Sequence, residues 1–146
     1  MTELTARASL KAPADILAVM DAYSRAWADH DPARIASLHT EDTAFHVHIG
    51  TPPVSGRLAM QAACADIFAM YKNFTVIVRR VITGDSHWLL EWTMSAAMSV
   101  QRGGEDVEVP VTVDCVDVVV LSAEGLVASK DTYMDVAQVN AVMSQL

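Results

Sequence analysis

Residues 111–121, VTVDCVDVVVL, set two carboxylates, Asp114 and Asp117, into a run of β-branched residues. A strand turns alternate side chains to opposite faces, so a separation of three residues sends the two acids to different sides. Asp117 shares its face with Val113, Cys115, Val119 and Leu121. In such company a lone carboxylate costs several kcal/mol unless it is paired or takes up a proton. Two states are therefore open for it: a protonated acid that donates a hydrogen bond, or a carboxylate paired with a cation. Lys130, which alternates with Asp131 on a later strand, could reach Asp117 as ion-pair or proton partner, or stand at a solvated edge. Asp114 lies with Thr112, Val116 and Val118 and is expected at water or at a subunit interface.

Three more side chains could carry proton chemistry. Tyr23 sits between Met20 and Trp27 on an apolar helical stripe, and a buried phenol needs a hydrogen-bond partner. It faces either a pocket or the core with its hydroxyl at the rim. His46 and His48 share a strand face at i, i+2, and imidazole suits acid–base work near neutral pH if a bulge near HIG turns one inward. The same spacing could begin a metal site, but no third ligand lies nearby in the sequence. No metal and no cofactor is expected. His87 opens a strand, where a surface role is expected. Trp27, Phe45, Phe68, Met70, Trp92 and Met94 supply apolar surface for a core or for a hydrophobic ligand.

The elements that position these residues follow from periodicity. Ile16, Met20, Tyr23 and Trp27 fall on one helical stripe, with Pro13 suited to the first turn and the opening residues 1–12 loosely held. Asp31 and Pro32 restart a helix as N-cap and first residue. TAFHVHI alternates as a short strand, GTPPVSG breaks it, and a third helix fits Gly56 to Lys72. Strands follow at about 74–83, 87–101, 107–121 and 126–135, and DVAQVNAVMSQL closes the chain as a short helix. Helices first and long antiparallel strands later define an α+β class, with the helices covering one face of a curved sheet.

The 146 residues suit one domain, here 13–146, and 52% hydrophobic residues are enough for a sizeable core. A net charge of −8, with Arg79 and Arg80 as the basic pair, argues against nucleic acid. No run approaches the roughly 20 apolar residues of a membrane span. The opening MTELTARASLKAPAD has no apolar region marking secretion, and Cys64 and Cys115 lie outside metal-ligand spacing, which fits reduced thiols in a cytoplasmic protein.

The order of elements, AYSRAWADHDPARIASLHTEDTAFHVHIGTPPVSGR, then LLEWTM, then VDVVVLSAEGLVASKDTYMD, resembles the nuclear transport factor 2-like superfamily, in particular its SnoaL-like and ketosteroid-isomerase-like branches. The resemblance covers nearly all of residues 13–146. It implies a cone-shaped α+β barrel, a strongly bent sheet wrapped around a pocket and closed by the N-terminal helices, in which many members dimerise through the open sheet face. On the residues, it places Tyr23 where ketosteroid isomerases carry an oxyanion-hole tyrosine, and Asp117 where they hold a protonated Asp. Val47 stands where those enzymes place their general base, and a valine moves no proton. Limonene epoxide hydrolases and SnoaL cyclases carry a catalytic Asp at the place of Thr132, and the epoxide hydrolases an Arg and an Asp at Trp92 and Met94, so epoxide hydrolysis is disfavoured.

The resulting expectation is a cofactor-independent enzyme acting on a hydrophobic, ring-containing molecule through an enolate-like state, as an isomerase, dehydratase or lyase. Tyr23, Asp117, Lys130 and one of His46 and His48 would act on the substrate, and Trp27, Phe45, Val47, Phe68, Trp92, Met94 and Thr132 would hold it. The alternative is a non-catalytic protein of the same fold that binds a hydrophobic ligand or mainly dimerises.

Overall fold

The computed structural model describes residues 15–146. Pro13 and the expected loose segment 1–12 lie outside the described residues. Helix α1 (Ile16–Ala28) starts at Asp15, whose side chain accepts the Leu17 N–H at 3.0 Å, and it buries Tyr23, Ala26 and Trp27. Helix α2 (Pro32–Ser37) has Pro32 at its first position and Asp31 as its N-cap, accepting the Arg34 N–H at 3.1 Å. That cap satisfies an otherwise orphaned donor. Asp31→Ala is expected to cost about 1 kcal/mol in denaturant unfolding, with the slope unchanged.

Strand β1 (His39–His48) begins four residues before the expected TAFHVHI, because His39 and Thr43 are buried and bonded to each other. A two-residue strand, β2 (Val54–Ser55), pairs with β1 inside the segment expected only as a break. Gly56, at φ +91°, then turns the chain into α3 (Arg57–Met70), a backbone angle that glycine adopts without strain. The remaining strands are β3 (Lys72–Thr83), β4 (His87–Arg102), β5 (Glu105–Leu121) and β6 (Val127–Met134), each within about two residues of expectation, and α4 (Val136–Met143) follows.

The six strands form one open sheet in the order β2-β1-β6-β5-β4-β3. Only β1 and β6 run parallel; the other neighbours are antiparallel. The mixed sheet, bent around an apolar interior and flanked by the N-terminal helices, is the expected α+β cone. Its core joins Trp27 of α1, Met60 and Cys64 of α3, and the inward residues Trp92, Val113, Cys115 and Val119 of β4 and β5. No helix among the described residues is long and apolar enough to cross a membrane.

Candidate active site

Inside the cone lies a cavity of about 560 Å³, walled mostly by apolar side chains, among them Trp27, Phe45, Val47, Trp92 and Met94. Among the polar side chains that line it, Tyr23, Asp117, Lys130 and Thr132 are buried. The β5–β6 register sets Asp117 opposite Thr132, with Lys130 two residues along on the same face. Thr132 Oγ1 donates to Asp117 Oδ1 at 2.7 Å, and Lys130 Nζ stands 3.3 Å from Asp117 Oδ2, with the two charged side chains only 6% and 5% exposed.

Both oxygens of Asp117 thus already face donors. Of the two states open from the sequence, this geometry fits the carboxylate paired with a cation. Lys130 likewise leaves the solvated-edge alternative behind. Burial alone pushes its ammonium pKa down, but the Asp117 carboxylate, with smaller contributions from Tyr23 and Cys64, outweighs that and holds it above the ordinary lysine value. The ammonium also lies over the Trp27 ring, 4.1 Å from its centroid, a cation–π contact that helps replace lost water.

The Tyr23 hydroxyl, at the cavity wall, has a buried partner. It lies 2.8 Å from Nε2 of His39, and His39 Nδ1 lies 2.8 Å from Thr43 Oγ1. The Thr43 hydroxyl also lies 3.2 Å from the Val127 carbonyl and 3.3 Å from that of Ala128. In the tautomer where His39 Nδ1–H donates to Thr43, Nε2 is the acceptor and Tyr23 donates to it. The phenol presents lone pairs to the cavity, and it can donate there only if His39 shifts to its other tautomer. Burial, opposed chiefly by Lys130, pushes the Tyr23 pKa up to about 12, so the hydroxyl keeps its proton.

Burial, assisted by the Lys130 and Arg57 charges, lowers the pKa of fully buried His39 from 6.5 to about 3. The unfolded chain takes up this proton near pH 6.5 and the folded chain only near 3. The contribution to stability is therefore complete above pH 6.5 and is lost as pH falls through that window. Stability should drop by about 1.4 kcal/mol per pH unit between pH 6 and 4 from this group. Denaturant unfolding at several pH values should show that slope reduced by about one proton in His39→Gln.

Two indole donors remain, Trp27 Nε1 and Trp92 Nε1, both buried and without hydrogen-bond partners. Buried donors are rarely left unsatisfied, and both residues line the cavity.

Other expected site residues lie elsewhere. The β1–β6 register runs unbroken from Ala44 to His48, so no bulge turns His46 or His48 inward. Val47 lines the cavity and the two histidines occupy the outer face, where His48 bonds Asp131 and His46 bonds the Thr51 carbonyl, each at 2.8 Å. Phe68 packs on His30, Trp27 and Phe74 in the core and does not line the cavity. Asp114 points outward to Thr93, Gln138 and Arg79, and the hydrogen bonds from Thr93 and Gln138 lower its pKa. Sequence reasoning missed His39, whose odd parity with Thr43, Phe45 and Val47 was the available signal. It also missed Asp66, an exposed α3 carboxylate at the cavity wall.

No curated protein matches the sequence. Among solved structures, a Shewanella denitrificans protein described as a SnoaL-like polyketide cyclase superposes with a TM-score of 0.77 at 10% identity, over 90% of this chain and 98% of that one. A Catenulispora acidiphila protein of ketosteroid-isomerase-like fold, in complex with trimethylamine, gives 0.71 at 19% identity over 86% and 92%. An M. tuberculosis LEH-like epoxide hydrolase gives 0.69 at 15% identity over 89% and 90%. At such identities these likenesses show a shared fold. The SnoaL-like domain family itself matches residues 20–130, and the chain belongs to that family.

Proposed function

We propose that this protein is an enzyme that binds a hydrophobic, ring-containing ketone or phenol-like molecule in the cone and processes it through an enolate. The observation that carries this reading is the buried Lys130–Asp117 pair, exposed to the cavity and held by Thr132. A substrate carbonyl placed against Lys130 Nζ gains negative charge as the neighbouring C–H bond breaks, and this donor stabilises it. The proton passes to Asp117, whose carboxylate takes the role of base that Val47 leaves open. Returning the proton to another carbon gives an isomerase; losing a β-hydroxyl as water gives a dehydratase; cleaving a carbon–carbon bond gives a lyase. The enolate is common to all three, and no step calls on an organic cofactor. With Trp92 and Met94 on the cavity wall, epoxide hydrolysis stays disfavoured. Turnover of a panel of aromatic β-hydroxyketones by the wild type, lowered about 10²–10⁴-fold in Asp117→Asn, tests this reading.

A specific observation favours a second reading. Asp117 is already engaged by both Thr132 and Lys130, and Val47 supplies no free base beside it. A binding protein of the same fold would hold such molecules without converting them, and saturable binding with the whole panel unchanged would establish it.

The same proposal places the protein in the cytoplasm, where the buried Cys64 and Cys115 stay reduced. It also expects a homodimer through the outer sheet face, where Val120 and Tyr133 are exposed. Sedimentation at several concentrations reads the latter directly.

A further inference from the structure

We propose that His46, His48 and Asp131 form a binding site for a divalent transition-metal ion on the outer face of the sheet, on the opposite side from the cavity. In sequence the two histidines lack a third ligand, because Asp131 lies 83 positions beyond His48. The parallel β1–β6 pairing supplies it: His46 stands opposite Asp131, and His48 opposite Tyr133. One ligand atom from each of the three residues lies within 4.8 Å of the others. An ion with bonds of about 2.0–2.2 Å needs its ligand atoms roughly 3.0–3.5 Å apart, so His48 and Asp131 separate slightly and the wider spacings close.

Two further contacts orient the ligands as metal sites require. A carbonyl oxygen only accepts, so the 2.8 Å contact with Thr51 makes His46 Nε2 the donor and leaves Nδ1 with a free lone pair. Thr51 is itself fixed by its hydroxyl, which donates to the Val47 carbonyl at 2.9 Å. The His48 ring stacks on Tyr133, with centroids 4.1 Å apart and planes 9° from parallel. Its Nε2 already faces Asp131 Oδ1 at 2.8 Å, and the ion takes the place of the proton between them.

Two imidazoles and one carboxylate suit the borderline ions Zn²⁺, Co²⁺, Ni²⁺ and Cu²⁺, whereas Ca²⁺ and Mg²⁺ prefer oxygen sets. The three residues are half-buried, which leaves the remaining coordination positions to water. Such an ion ties β1 to β6 outside the cone, behind the strands whose inner faces present Val47, Lys130 and Thr132 to the cavity.

The test uses the tag-free full chain, Zn²⁺ in isothermal titration, and Co²⁺ as the spectroscopic probe. The expected result is one equivalent bound per chain, a rise in melting temperature with Zn²⁺, and visible Co²⁺ absorption bands that Zn²⁺ displaces. His46→Ala and His48→Ala should each weaken binding by at least about 100-fold, and Asp131→Ala by at least about 10-fold. His87→Ala, at a histidine outside the cluster, should change nothing. The proposal is overturned by an absence of saturable binding to the wild type. It is equally overturned by wild-type affinity in the His46→Ala/His48→Ala double variant or, should that variant not fold, in Asp131→Ala.

Discussion

Lys130→Met should destabilise the protein by about 3–5 kcal/mol, while Lys130→Met combined with Asp117→Leu should recover most or all of that loss. The single change strands a carboxylate in an apolar cavity, a cost of that order for one half of a buried ion pair. The double change replaces both charges by apolar groups of similar length, which in comparable interiors is neutral or stabilising. Equilibrium urea unfolding of the wild type, the two singles and the double closes the cycle. Recovery in the double would mean that the pair adds little to the stability of the fold. Its position in the cavity is then explained by what it does to a bound molecule. A double variant as unstable as the single would instead make the pair a structural element of β5 and β6.

The second large effect is on turnover. Asp117→Asn keeps the shape of the side chain and its place beside Thr132 and Lys130, but removes the group that takes the proton. General base catalysis is typically worth about 10²–10⁴-fold, and turnover of any substrate that the wild type converts should fall by that factor with affinity nearly kept. In the His39 tautomer that accepts the phenol's proton, Tyr23→Phe should cost far less. Equal losses in the two variants would return Tyr23 to the oxyanion role that its position in the family suggests.

Much of this arrangement is legible in the sequence, and the limits of what is legible are physical. Alternation within residues 111–121 correctly separated Asp117, facing inward, from Asp114, facing outward, because the pleat has a period of two wherever the strand is regular. It could not decide the protonation state of Asp117, which depends on a lysine 13 positions away brought alongside by the β5–β6 register. Tyr23 was placed on the correct helical stripe, but its hydrogen bond depends on His39, which enters the core only because β1 starts earlier than its alternation indicates. A bulge was invoked to turn His46 or His48 inward, and a regular parallel ladder rules it out. The same ladder brings Asp131 to His48, a contact no local spacing could announce. Phe68 lay on the correct helix face, yet a face that meets the core need not meet the cavity.

The central claim is that the Lys130–Asp117 pair makes this cavity a site for oxygen that carries negative charge. A phenol is a stable enol, and its methyl ether has nearly the same shape without the proton. The most direct measurement is therefore the affinity of a set of naphthols and of their methyl ethers for the wild type and for the Lys130→Met/Asp117→Leu variant. The wild type is expected to prefer each naphthol over its ether by about 10–100-fold, the worth of a hydrogen bond to a charged group, and the variant to bind both equally. A preference that is absent from the wild type, or that survives in the variant, would contradict it.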